Sequence, residues 1–176
     1  YGFCIFNDLA YTAINLIEKS YVKSVLILDL DVHQGDGTID ICQNYPSIYT
    51  CSIHSESNFP FEKKKGWMDV AIPAGSGDDF YLSQLQKTLD DIKHRISPDI
   101  VLYDAGIDVF VGDGLGNLEI TREGIIKRDE MVLGNFHNRN IPVATVIGGG
   151  YSSDTQELAS RHAIIFNVAA SIYKVL

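Results

Sequence analysis

The chain has 176 residues, 45% hydrophobic and 21% charged, proportions that suit one globular domain with a sizeable core and argue against intrinsic disorder. Its 23 acidic and 14 basic residues give a net charge of −9; this speaks against direct nucleic-acid binding, which needs a basic stripe to displace counterions, and suits a protein that gathers carboxylates around a cation. No apolar run approaches the roughly 18 residues of a membrane span, no secretory leader is evident, and three cysteines (Cys4, Cys42, Cys51) without a CxxC pair point to a reducing compartment, the cytoplasm or, in a eukaryote, the nucleus.

In chain order, Asn7 is placed to cap a helix over Asp8–Lys19, and a first buried strand follows over Val25–Leu30. A second apolar run, Ile48–Ile53, leads into the polar loop Ser55–Gly66, where Lys63, Lys64 and Lys65 read as a solvated tip. A helix over Asp78–Ile96 places Phe80, Leu82, Leu85, Leu89, Ile92 and Ile96 near one stripe. A third strand, Ile100–Tyr103, opens into the glycine-rich loop Gly106–Leu118. A helix over Ile125–Phe136, a strand over Pro142–Ile147 and a helix over Leu158–Tyr173 complete the pattern. Near-continuous Val- and Ile-rich strands alternating with helices predict an α/β domain built on a parallel sheet covered on both faces.

The chemistry gathers where strands end, the edge at which open α/β sheets bind ligands. Alternation along the first strand sends Asp29, Asp31 and His33 to one side. Three ionisable groups placed together must pair or bind a cation, and imidazole with carboxylates is a set that zinc accepts. The plainer reading is a polar strand end capping the next helix through Asp36 or Thr38. After the third strand, Asp104 and Asp108 could be turn residues, but Asp108 also completes three protein ligands with one position left open, the pattern of a catalytic zinc. Two carboxylates and one imidazole would also hold Fe2+. Gly148-Gly149-Gly150-Tyr151 completes neither a Walker nor a GxGxxG fingerprint, and a Tyr hydroxyl on such a turn suits an oxyanion donor.

GFCIFND (residues 2–8), DLDVHQGDGT (29–38), DAGIDVFVGD (104–113) and GGGY (148–151), in that order, resemble the histone deacetylase family. The stretch LGNLEITREGIIKRDEM (115–131) is similar to its class IV branch and bacterial relatives. The resemblance implies a three-layer αβα, arginase/deacetylase-like fold. It implies zinc on Asp31, His33 and Asp108, a transition-state tyrosine at Tyr151, and Asp29 and Asp36 as the carboxylates that orient the catalytic histidines. Phe3, Phe59 and Gly149 take positions in the acyl-lysine tunnel. By the same resemblance, backbone carbonyls of Asp29, Asp31 and His33, with Ser52 and Ile53, match a structural potassium site. The implied reaction is hydrolysis of the amide of an Nε-acyl-lysine, with an acylated protein lysine or an acylated small amine as the substrate partner.

The family's His-His pair, expected shortly before the GFC motif, has no counterpart here. His54, His94, His137 and His162 read as surface or helix residues. The 176 residues are therefore expected to form one unit, the C-terminal part of a deacetylase catalytic domain. An arginase-like binuclear manganese centre wants a carboxylate two residues after the histidine, where Gly35 stands. An acetylpolyamine amidohydrolase and a non-catalytic acyl-lysine-binding module are the remaining alternatives.

Overall fold

The computed structural model of the chain describes residues 3–174. The strands are β1 (Val25–Asp29), β2 (Ile48–Ser55), β3 (Met68–Ile72), β4 (Ile100–Asp104) and β5 (Val143–Val146). The helices are α1 (Asp8–Glu18), α2 (Asp36–Cys42), α3 (Asp78–Arg95), α4 (Arg122–His137) and α5 (Thr155–Tyr173). All strand pairs are parallel, in the order β3-β2-β1-β4-β5.

Alternation within β1 builds both cores. Val25 and Ile27 pack with Leu9, Ala10 and Ala13 of α1 and Cys42 of α2. Leu26 and Leu28 pack on the other face with Leu85 and Leu89 of α3, Val132 and Phe136 of α4, and Ile164 and Val168 of α5. The result is the three-layer αβα arrangement with a parallel sheet. Each wholly buried leucine of this strand contributes roughly 1.5–3 kcal/mol through burial, so Leu28→Ala should cost about 2–5 kcal/mol.

Local signals set the helix starts. Asn7 Oδ1 accepts from the Ala10 N–H at 2.8 Å, as its position suggested. Thr121 caps α4 through the Gly124 N–H at 3.0 Å, so that helix begins before the expected Ile125. Three further features differ from expectation. β3 went unrecognised because its burial is uneven and it carries Asp69. Gly35, not Asp36 or Thr38, is the cap residue of α2; Asp36 is its first helical residue, and Thr38 Oγ1 instead accepts from Asn7 Nδ2 at 2.8 Å. His54 is neither surface nor helical: it lies buried in β2 with Nδ1 3.0 Å from Ser52 Oγ. The lysine tip is also partly tied down. Lys63 Nζ donates to the carbonyls of Asn58 and Pro60 at 2.5 and 2.6 Å, and Lys64 pairs with Asp40 at 3.1 Å. Among the described residues no helix is long and apolar enough to cross a membrane.

The register fixes where chemistry collects. Asp29 stands opposite Ser52 on one side and Asp104 on the other, so the carboxyl ends of β1, β2 and β4 lie level.

Candidate metal centre

The ladder of β1 ends at Asp29, but its in–out alternation continues beyond it. The Leu30 N–H donates to the Asp104 carbonyl at 3.1 Å, and the Ser55 N–H donates to the Val32 carbonyl at 2.9 Å. Leu30 and Val32 stay in the core, while Asp31 and His33 keep partial exposure, 16% and 22% of their side chains. Asp108 arrives from the loop after β4, fully buried. Its Oδ1 accepts from the Val32 N–H at 2.8 Å, which locks the two ligand-bearing loops together.

One donor atom from each of Asp31, His33 and Asp108 lies within 4.8 Å of the others. His33 Nδ1 is 2.9 Å from Asp31 Oδ1 and 3.1 Å from Asp108 Oδ2. The Gly149 N–H donates to Asp31 Oδ2 at 2.8 Å. A Cβ at Gly149 would collide with both ligand carboxylates, so glycine is the residue that lets this backbone close over the cluster.

The electrostatics call for positive charge. Burial, then Asp104 and Asp31, hold the Asp29 carboxyl well above the usual range. Burial, then Asp31 and Asp108, push Asp104 up to about 8, and one of its oxygens has no hydrogen-bond partner among the described residues. Burial and Asp31 raise Asp108 to about 7. Burial works against charge on His33, yet its hydrogen bonds to Asp108 and Asp31 carry it to about 10. On Asp31 burial acts upward, but the hydrogen bond from His33 and others outweigh it and hold the carboxyl below its ordinary value. Asp31, His33 and Asp108 could together hold a metal ion, and two carboxylates with one imidazole fit Zn2+ or Fe2+. Partial exposure of Asp31 and His33 leaves one side open.

The Tyr151 ring lies 6.3 Å from the His33 ring and 5.8 Å from the Phe3 ring, edge to face in both cases. Burial, then Asp31 and Asp108, push its hydroxyl up to about 12, so it stays protonated as a donor. Asp29 Oδ1 accepts from the Asp31 N–H at 3.0 Å, and Asp36 is buried at the start of α2. Ser52 and Ile53 are buried on β2, with Ser52 at the level of Asp29. Phe59 is 40% exposed and its ring lies 6.4 Å from that of Phe61; Phe3 is 80% exposed.

Two residues around this centre escaped the sequence reading. Arg128 of α4 is fully buried, donates through Nη1 to the Gly106 carbonyl and pairs through Nε with Asp129 at 2.9 Å. The signal was there, since Arg128 and Asp129 interrupt the stripe Ile125, Val132, Phe136. The other is Asp113, whose Oδ2 accepts from the Tyr151 N–H at 2.7 Å.

The histone deacetylase domain family matches residues 1–166. The chain belongs to the histone deacetylase family. It is 43% identical over 172 residues to an uncharacterized protein of Picosynechococcus sp., covering 98% of this chain and 57% of that protein. It is 31% identical over 174 residues to Histone deacetylase 2 of Arabidopsis thaliana, covering 93% of this chain and 45% of that one. The crystal structure of an HDAC homolog from Aquifex aeolicus superimposes with a TM-score of 0.83 at 27% identity, over 97% of this chain and 48% of the homolog. The chain thus spans about half the length of these relatives.

Proposed function

We propose that this histone deacetylase-family chain contributes the metal-binding and oxyanion-stabilising part of an enzyme that hydrolyses the amide bond of an Nε-acyl-lysine. The observation that carries the reading is the convergence of Asp31, His33 and Asp108 donor atoms within 4.8 Å, beside Tyr151, whose ring lies 6.3 Å from that of His33. Asp31, His33 and Asp108 would hold Zn2+, with Fe2+ as the competing ion. When bound, the ion supplies Lewis-acid chemistry and acidifies water.

The remaining work falls to the chain's own groups. Tyr151 donates its hydroxyl proton in a hydrogen bond to the oxyanion that develops on the acyl carbonyl. Phe3 and Phe59 flank the lysine stem and exclude water, and Gly149 leaves room for the acyl group. Asp29 and Asp36 orient imidazoles that take and return the proton. Such imidazoles would come from residues other than these, since the chain spans about half the length of its relatives. A structural K+ would be held by the backbone carbonyls of Asp29, Asp31 and His33, with Ser52 and Ile53.

The test uses the longest natural chain that contains these residues, purified without chelators. Elemental analysis should find one transition metal per chain, lost in Asp108→Asn. Turnover of an acetyl-lysine peptide should fall roughly 10²–10³-fold in Tyr151→Phe with the metal retained. A protein that binds no transition metal, or one whose turnover ignores Tyr151→Phe, overturns the reading. Faster turnover of an acetylated diamine than of the peptide would reassign the substrate to a small amine.

A further inference from the structure

Tyr151 lies on an irregular segment between β5 and α5, yet an oxyanion donor must be held to a narrow range of positions. The loop after β4 provides the restraint. The Tyr151 N–H donates to Asp113 Oδ2 at 2.7 Å, and the Gly114 N–H donates to the Tyr151 carbonyl at 3.0 Å. The second Asp113 oxygen accepts from the Leu115 and Gly116 N–H groups at 3.0 and 3.1 Å. One carboxylate therefore gathers three backbone donors from two loops.

That carboxylate is wholly inaccessible, and a buried charge needs a counter-charge. Arg161 of α5, itself 2% exposed, places Nη1 3.9 Å from Asp113 Oδ2. This distance is too long for a hydrogen bond, so Arg161 balances charge while the backbone supplies the directional contacts. The guanidinium is seated by the Phe110 ring, 4.4 Å below it, and by Glu157 at 2.5 Å.

We propose that Asp113, charge-balanced by Arg161, is a positioning residue that sets where Tyr151 presents its hydroxyl. The inference rests on Tyr151 being the oxyanion donor and deepens that reading. The two oxygens of Asp113 divide the work: Oδ1 turns its own loop, and Oδ2 reaches across to the segment that carries the phenol. Because the ring is a rigid lever, a small shift at the Tyr151 backbone is enlarged at the hydroxyl, and a misplacement of about 1 Å costs on the order of 10²-fold in rate.

A double-mutant cycle separates positioning from general support. In the metal-loaded full natural chain acting on an acetyl-lysine peptide, Asp113→Ala should lower kcat roughly 10–100-fold, with KM within about twofold and metal content unchanged. Asp113→Asn, which keeps one acceptor, should recover part of the loss. In a Tyr151→Phe background, adding Asp113→Ala should cost less than about threefold more, because the hydroxyl it positions is gone. Equal losses in both backgrounds, or no loss beside an intact Tyr151, overturn the proposal. If Asp113→Ala does not fold, the same cycle with Asp113→Asn and Arg161→Lys decides. Turnover indifferent to Tyr151→Phe removes the oxyanion reading and this inference together, whereas additive losses remove the inference alone.

Discussion

Two clusters of buried charge lie on either side of Gly106, and they are built on opposite plans. Beneath it, Arg128 pairs with Asp129 at 2.9 Å, Tyr103 donates to the same carboxylate oxygen at 2.6 Å, and Arg128 also holds the Gly106 carbonyl. Burial acts against the Arg128 charge, but Asp129, Tyr103 of β4 and Tyr81 of α3 more than restore it. Burial, helped by Asp129, lifts the Tyr103 hydroxyl well above its ordinary range. Above Gly106, the carboxyls of Asp29, Asp104 and Asp108 are all raised, by burial first and by the Asp31 carboxylate among their neighbours. A site that carries its own counter-charge stiffens the fold. One with carboxylates in excess lacks that internal balance, and it is there that the proposed cation would bind.

The largest effect should come from unbalancing the balanced cluster. Arg128→Met leaves Asp129 buried without its cation and should cost about 3–5 kcal/mol of stability by urea unfolding. A loss below about 1 kcal/mol would break the contrast. Asp108→Asn should behave differently. It keeps an oxygen for the Val32 N–H and removes one of several crowded negative charges, so metal-free stability should stay within about 1 kcal/mol of the parent. Zinc affinity, read by competition with a chelating dye, should fall more than ~100-fold, since even outer partners of a metal ligand are worth 10–100-fold. Next in size, Zn2+ at about 100 times its dissociation constant should stabilise the parent by about 2.7 kcal/mol. The same addition should leave Asp108→Asn unmoved.

How legible the two clusters were follows from how each is encoded. The acidic one lies on consecutive alternate positions, Asp29, Asp31 and His33, where period-two alternation converts spacing directly into proximity. β1 and β4 were visible for a related reason: strands buried on both faces must be apolar throughout. β3, at the sheet edge, needs few apolar residues and left only a weak trace. The balanced cluster is assembled from Tyr81 on α3, Tyr103 on β4 and Arg128 on α4, and no local period announces a contact of that kind. Asp113 was invisible as a clamp for the same reason, since its partner Tyr151 is 38 residues away. His54 misled because histidine is usually at least partly exposed, whereas here burial depresses its basicity to about 4 and Ser52 accommodates the neutral ring.

The smallest perturbation asks whether the clusters are separate at all. Tyr103→Phe removes only the hydroxyl that donates to Asp129, while Arg128 keeps its bond to that carboxylate and its hold on the Gly106 carbonyl. A hydrogen bond to a charged group is worth about 1.5–3 kcal/mol, so the stability loss should lie near the lower end of that range. Zinc affinity should stay within about twofold, because Arg128 still fixes the backbone next to Asp31. The coupling route is short: Gly106 packs so closely on Asp31 that a Cβ there would sit 2.7 Å from the Asp31 Cα. If zinc affinity fell in step with stability, the network beneath Gly106 would have to be counted as part of the metal site. If stability fell alone, the carbonyl held by Arg128 would suffice to keep the backbone beside Asp31 in place without the Tyr103 hydroxyl.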